Sequence, residues 1–302
     1  MKKIISLLFI FGISCSIAYA DFPKTLCNSV CPNTSGQYTN SQALPIGAKC
    51  IYVGKHKIYY RTSGKGSPTI IFSSGTGFPA DGWFEAQIAS IMAKKVKVFV
   101  YDRVFTFNSC PNLNDYMPET AQDIVEQLHI LLRKANIKPP YILVGHSFGG
   151  LYMLLYARKF PSEVAGLLLM DASSPAGPTP FPQQSKKILR ELGNPQNPTP
   201  ENPLYNEMIG QLPSYLQIQN APPLQKNMPL IVMYSTEHCL PIAWTKEKMC
   251  MSPDQEKNYQ ENQLRMAKIS KNYQIIRIEG DHSVFFTKNG SKRVIKALNS
   301  ML

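Results

Sequence analysis

The stretch Tyr141 to Tyr156, YILVGHSFGGLYMLLY, constrains this chain more than any other. An apolar run from Tyr141 to Val144 stops at Gly145. Ser147 follows, with Gly149 and Gly150 behind it, and Leu151, Leu154 and Leu155 then recur at helical spacing. The pattern predicts a buried strand, a tight turn and a helix. A serine at the tip of such a turn sits in strained backbone geometry. The residues two before and two after it lie almost on one another, so side chains at Gly145 or Gly149 would clash. The turn lifts the Ser147 hydroxyl clear of the sheet edge and sets it at a helix N-terminus. Unpaired amides there favour a developing negative charge.

A G-H-S-F-G-G run placed after a strand and before a helix resembles the nucleophile elbow of the α/β-hydrolase superfamily, in its esterase and lipase-like serine hydrolases. The resemblance covers roughly residues 50–302. It implies an α/β fold, a mostly parallel sheet with helices on both faces, and Ser147 as nucleophile.

Alternating strand and helix patterns agree with that class. Ile51 to Val53 and Lys57 to Arg61 read as a hairpin around Gly54-Lys55. Buried strands are expected at Thr69 to Phe72, Val96 to Tyr101, Ala165 to Met170, Leu230 to Tyr234 and Tyr273 to Ile278. Helices are expected at Asp81 to Ala93, from Thr120 to about Ala135, at Pro253 to Ile269 and at Ser291 to Leu302. Residues 175–229 differ in character and hold half of the 24 prolines. Short helical patches are expected there at Gln184 to Leu192 and Leu204 to Leu216. Because strand pattern resumes directly afterwards, the segment reads as a cap over the site, preferred to a linker between domains.

Ligands gather beyond the carboxyl ends of parallel strands, and Ser147, Asp171 and His282 each follow such an end. Serine needs an imidazole to take its proton and a carboxylate to orient that imidazole. Of the five histidines, His282 follows the last strand, where the resemblance places the base. The acid has two candidate positions. Asp171 follows one strand, and Glu237, in Ser-Thr-Glu-His, follows the next. Members of the resembling family with motifs like this chain's LLLMDAS look as if they use the earlier position, and neighbouring strands lie only about 4.8 Å apart, so the resemblance favours Asp171, with Glu237 as the alternative. Asp281 reads as a loop-ordering carboxylate. The Ser73 to Gly77 loop is implied to supply one oxyanion amide, from Thr76 or Gly77, with the Phe148 amide as the other. Relatives often carry D-R-x-G-x-G-x-S where this chain reads DRVFTFNS. Phe105 and Phe107, with Phe78 and Phe148, suggest an aromatic mouth, and Asp102 reads as structural. The substrate implied is a small-molecule or lipid ester, with no cofactor and no metal. Rival readings are a proline-type peptidase or acyltransferase on the same fold, or a binding protein that kept the fold. The peptidases tend to carry tryptophan where this chain has Phe148.

Lys2-Lys3, an apolar IISLLFIFGI run and Ala18-Tyr19-Ala20 make residues 1–20 an expected cleavable signal peptide, and the protein secreted or periplasmic. Residues 21–48 read as an irregular, cysteine-containing arm before the domain at 49–302. Cys27, Cys31, Cys50, Cys110, Cys239 and Cys250 remain, an even number consistent with disulfides in an exported chain. Cys239 with Cys250 is the preferred pair. Cys27 and Cys31 either pair together or tie the arm to Cys50 and Cys110. No paired C-x-x-C spacing supports zinc. Net charge is +12 without a nucleic-acid motif. It is compatible with weak membrane-surface association, and no obligate protein partner is implied.

Overall fold

The computed structural model describes residues 44–104, 106, 108–109, 119–176, 203–241 and 248–302. Residues 1–43, Phe105, Phe107, Cys110 and the helical patch expected at 184–192 lie outside them, as do the signal peptide and most of the N-terminal arm.

Strands β1 (Ala48–Val53), β2 (His56–Ser63), β3 (Thr69–Ser73), β4 (Val98–Tyr101), β5 (Tyr141–His146), β6 (Val164–Met170), β7 (Leu230–Ser235) and β10 (Tyr273–Ile278) form one sheet, ordered β1-β2-β4-β3-β5-β6-β7-β10. The β1–β2 and β2–β4 pairs are antiparallel and the others parallel. Strands β3, β4, β5 and β7 are buried along their whole length, which is why they read as unbroken apolar runs rather than alternating ones. Alternate residues still serve opposite faces. Ile142 and Val144 pack in one core cluster and Tyr141 and Leu143 in the other.

Helices α1 (Gly82–Glu85), α2 (Ile88–Met92) and α7 (Lys288–Asn299) cover one face. Helices α3 (Ala121–Lys134) and α4 (Phe148–Lys159) cover the other. Helix α5 (Pro203–Gln219) lies between β6 and β7 in the chain, and α6 (Pro253–Ala267) precedes β10. Two expected helices differ. The single helix expected over 81–93 is broken at Gln87, whose φ of 62° is left-handed. Trp83, Ile88 and Met92 are all fully buried, yet a five-residue step from 83 to 88 cannot keep one helical face inward. The left-handed residue absorbs the mismatch. Helix α7 begins one turn before Ser291, because the Thr287 hydroxyl caps it by accepting the Gly290 N–H at 3.1 Å.

Helix α5 is fastened over the start of α3. Ser214 accepts the Ala121 N–H at 2.7 Å and the Gln217 side chain accepts the Gln122 N–H at 2.9 Å. Amides left unpaired at a helix start are thus met by another helix. Gly210 sits against the backbone of Glu119, where an added Cβ would lie 1.8 Å from the Glu119 carbonyl oxygen.

A two-stranded ribbon, β8 (Cys239–Pro241) with β9 (Lys248–Cys250), is closed by the expected Cys239–Cys250 disulfide. Cys50 is disulfide-bonded as well. Among the described residues no helix is long and apolar enough to cross a membrane.

Candidate active site

Strand β5 ends at His146, and the chain turns into α4 through Ser147, at φ 53° and ψ −124°. That conformation is strained for any residue with a side chain. The turn is held by the Ser147 N–H on the Met170 carbonyl at 3.0 Å and by the Ser173 N–H on the Ser147 carbonyl at 3.0 Å. The two glycines flanking the serine are sterically required. A Cβ at Gly145 would meet Gly150 Cα at 2.4 Å, and one at Gly149 would meet the Ser73 and Ser74 carbonyl oxygens at 2.4 Å.

The loop after β3 lies against the serine, since a Cβ on Gly75 would sit 3.0 Å from Ser147 Cβ. Arg103 pins this loop from behind, donating to the Ser74 carbonyl at 2.7 Å and the Gly75 carbonyl at 3.2 Å. Asp102 orders the neighbouring turn. Its carboxylate accepts the Ala80 N–H at 2.8 Å and the Asn108 side-chain N–H at 2.9 Å. Burial pushes Asp102 up to about 7 despite those donors. Thr76 is buried, and its hydroxyl accepts the Gln211 amide of α5 at 2.8 Å. Gly77 follows at φ 71°. The N–H of Phe148 opens α4 beside the serine.

The sheet brings the expected base, His282, and one of the two expected acids, Asp171, together. Asp171 follows β6 at φ 47°, and its N–H bonds the Met233 carbonyl of β7 at 2.7 Å. That backbone turns its carboxylate along the sheet edge. His282 Nδ1 lies 2.7 Å from Asp171 Oδ2. Burial works against the Asp171 charge, but hydrogen bonds and charge from His238 and His282 hold its carboxyl well below the usual carboxylate range. The alternative acid, Glu237, does not reach the ring. It is exposed and turned outward, with its N–H on the Gly280 carbonyl at 3.0 Å. Asp281 accepts from the Ser283 N–H at 2.9 Å and hydroxyl at 2.6 Å, ordering the loop that carries His282.

Among the described residues, Ser147 Oγ makes no hydrogen bond to the His282 ring. The two are linked through His146. Its Nε2 donates to the His282 carbonyl at 3.0 Å, and the two rings stand 4.5 Å apart. Burial and the neighbouring His282 lower His146 to about 3, so its ring is neutral and its proton sits on Nε2, facing the carbonyl. The sequence offered one hint of this role, the adjacency of His146 to the serine.

Two residues of the expected aromatic mouth, Phe78 and Phe148, lie among the described residues. Phe148 is buried edge-on between Tyr152 and Tyr215, a core contact rather than a wall of an opening. Phe78 stacks on Phe286 at 4.5 Å between ring centres.

Sequence reasoning missed His238 and its neighbours. His238 Nε2 lies 3.2 Å from Asp171 Oδ2, and its Nδ1 lies 2.8 Å from Glu256 Oε2 on α6. Tyr259 donates to Asp171 Oδ1 at 2.8 Å, and Gln263 donates to the Ala172 carbonyl at 2.8 Å. Glu256, Tyr259 and Gln263 share one face of α6. Asp171, His238 and His282 place ligand-type atoms within 4.8 Å of one another. A cation there would have to displace the protons that already join both rings to the carboxylate.

Residues 68–300 match the family model described as alpha/beta hydrolase fold. The chain belongs to that family. It is similar over 121 residues to the uncharacterized protein YbdG of Bacillus subtilis, at 33% identity, covering 40% of this chain and 36% of the relative. The chain thus spans about a third of that relative's length. Among solved structures it is similar to a Vigna radiata epoxide hydrolase mutant, with TM-score 0.60 at 11% identity, covering 84% of this chain and 97% of the other. A putative lipase of Acinetobacter baumannii matches with TM-score 0.54 at 18% identity over 84% and 91%. At such identities the likeness defines the fold alone.

Proposed function

We propose that this chain is a serine hydrolase that cleaves carboxylic esters, or related acyl compounds, through an acyl-enzyme. Ser147 attacks the carbonyl, His282 takes the serine proton and returns it to the leaving group, and Asp171 holds the imidazolium. The Phe148 N–H and an amide from Thr76 or Gly77 stabilise the tetrahedral oxyanion. Water then attacks the acyl-enzyme with His282 as base, releasing the acid and restoring the serine. Residues 175–229, including α5, act as the cap, and the N-terminal segment directs export.

The observation that carries this reading is the 2.7 Å contact of His282 Nδ1 with buried Asp171, on the same sheet edge as a serine held at φ 53°. Three residues far apart in sequence have no packing reason to share one edge with a strained serine backbone. Hydrogen bonds of such sites tighten when substrate binds, so the serine-to-histidine contact is assigned to the bound state. A fluorophosphonate probe tests the reading. The protein should label covalently, and Ser147→Ala should abolish the label. An unlabelled, folded wild-type protein would overturn it. A p-nitrophenyl ester series would then measure the preferred acyl length.

A further inference from the structure

The acid of the site is shared by two histidines, and only one has been given a task. His238 is 8% exposed and Asp171 wholly buried. The His238 ring lies with a carboxylate at each nitrogen, Asp171 Oδ2 at 3.2 Å from Nε2 and Glu256 Oε2 at 2.8 Å from Nδ1. Glu256 also accepts the His238 backbone N–H at 2.7 Å, fixing the ring from the main chain. A neutral imidazole has one N–H and one lone pair. In this position its lone pair would face a carboxylate oxygen in a site with little water. A doubly protonated ring satisfies both partners at once. The groups facing it are Asp171 from the loop after β6, Glu256 and Tyr259 from α6, Ser235 from the end of β7 and His282 from the loop after β10. The Ser235 hydroxyl lies 3.2 Å from Nε2, the Tyr259 ring centre lies 4.0 Å away, and the His282 ring centre lies 6.2 Å away. His282 itself is faced by Asp171, His146 and His238.

Resting on the serine-hydrolase reading, we propose that His238 is a positioning residue for Asp171, an imidazolium clamped between Asp171 and Glu256 that holds the Asp171 carboxylate toward His282 and sets a second positive ring beside it. Two effects act together. Asp171 Oδ2 is shared by the two rings, at 2.7 Å from His282 Nδ1 and 3.2 Å from His238 Nε2. The second positive ring neutralises part of that carboxylate charge, and across 6.2 Å it also opposes a second imidazolium directly. His238 further splits the Asp171 oxygens with Ser235 and Tyr259, fixing the carboxylate plane toward His282. The Cys239–Cys250 disulfide adjoins both arms of the clamp, one cysteine directly after His238 and the other shortly before α6.

The test combines imidazole nitrogen NMR with pH–rate profiles on the full protein. In the wild type, the His238 ring, identified by its loss in His238→Gln, should give the imidazolium signature at both nitrogens at pH 7. In Glu256→Gln it should lose its proton at lower pH than in the wild type. In His238→Gln the acid limb of kcat/KM should move to higher pH by about one unit. A purely structural histidine would lower the rate without moving that limb. A neutral His238 at pH 7, or an unmoved limb in a folded variant, overturns the proposal. Should His238→Gln fail to fold, the acid limb of Glu256→Gln, read above the pH at which its His238 deprotonates, serves instead. Failure of the wild type to label with fluorophosphonate would overturn the hydrolase reading, and His238's positioning role with it, while the NMR would still report the ring's charge.

Discussion

His282 and Asp171 meet at 2.7 Å although their strands, β10 and β6, are not neighbours in the sheet and β7 lies between them. The contact exists because Asp171 turns back at φ 47° and the loop after β10 folds over the end of β7. That loop is anchored there by the Thr236 and Glu237 N–H groups on the Gly280 carbonyl, at 3.1 and 3.0 Å. Glu237, just after the end of β7, is thereby left away from the His282 ring. Asp171→Asn should lower kcat/KM by about 10³–10⁴-fold with the fold intact by circular dichroism, because the base loses its orienting charge. Glu237→Gln should stay within about twofold, as expected of an exposed side chain away from the ring. Ester hydrolysis by the two variants checks this, and the reverse pattern would transfer the acid to Glu237.

Gly145→Ala should be costly. Its Cβ would meet Gly150 Cα at 2.4 Å and the Gly149 carbonyl oxygen at 2.6 Å. Both are backbone atoms, so no side chain can swing away. We expect a loss of about 3 kcal/mol or more in urea unfolding, together with lost labelling of Ser147. An alanine variant of native stability would mean the elbow is looser than its geometry implies.

Gln211 links α5 to the loop beside the serine through its 2.8 Å bond to the Thr76 hydroxyl. Gln211→Leu keeps comparable bulk and removes the donor, leaving a buried hydroxyl to find another partner. Stability should fall by about 1 kcal/mol. If the bond holds the oxyanion loop in place, kcat should fall about tenfold while KM changes little. Steady-state kinetics on one ester separates the two parameters, and a change confined to KM would make Gln211 a substrate contact instead.

The elbow was legible because its geometry is local. The glycines around Ser147 are dictated by backbone atoms within a few residues, and the strand and helix beside it carry strong patterns. Asp171 was preferred over Glu237 from the sequence, but the 2.7 Å contact with His282 depends on one backbone dihedral at Asp171 and on which strand tip a distant loop crosses, which no local pattern encodes. His238 and Glu256 lie on either side of a ribbon closed by a disulfide. Nothing in their spacing announces that they share a proton network. The break at Gln87 was hidden because its side chain carries no turn signal, and only the joint burial of Trp83, Ile88 and Met92 demands it.

The Cys239–Cys250 bridge closes a short loop, with a sequence separation of 11. Loop closure of this size contributes about 2–3 kcal/mol. The Met251 N–H on the His238 carbonyl at 2.9 Å adds to the same joint. A Cys239→Ser, Cys250→Ser double variant should therefore lower unfolding free energy by about that amount. It should also weaken the His238–Glu256 contact, seen as a change in the His238 ring resonances. Equal stability with unchanged resonances would show that the ribbon forms without its bridge.

The pH dependence of stability offers a separate check on His238. Burial disfavours its charged form, but Asp171 and Glu256 outweigh that and raise it from the usual 6.5 to about 9. The folded chain therefore binds this proton more tightly than the unfolded chain. The stabilisation is fully present below pH 6.5 and is lost as pH rises through about 9. His238→Gln lacks the group, so the stability gap between wild type and variant should be widest near pH 6. It should narrow toward pH 9 with a slope of up to about 1.4 kcal/mol per pH unit. Urea unfolding of both proteins at constant ionic strength measures that gap at several pH values. A gap that widens with pH would reverse the sign and show that the folded state holds His238 neutral.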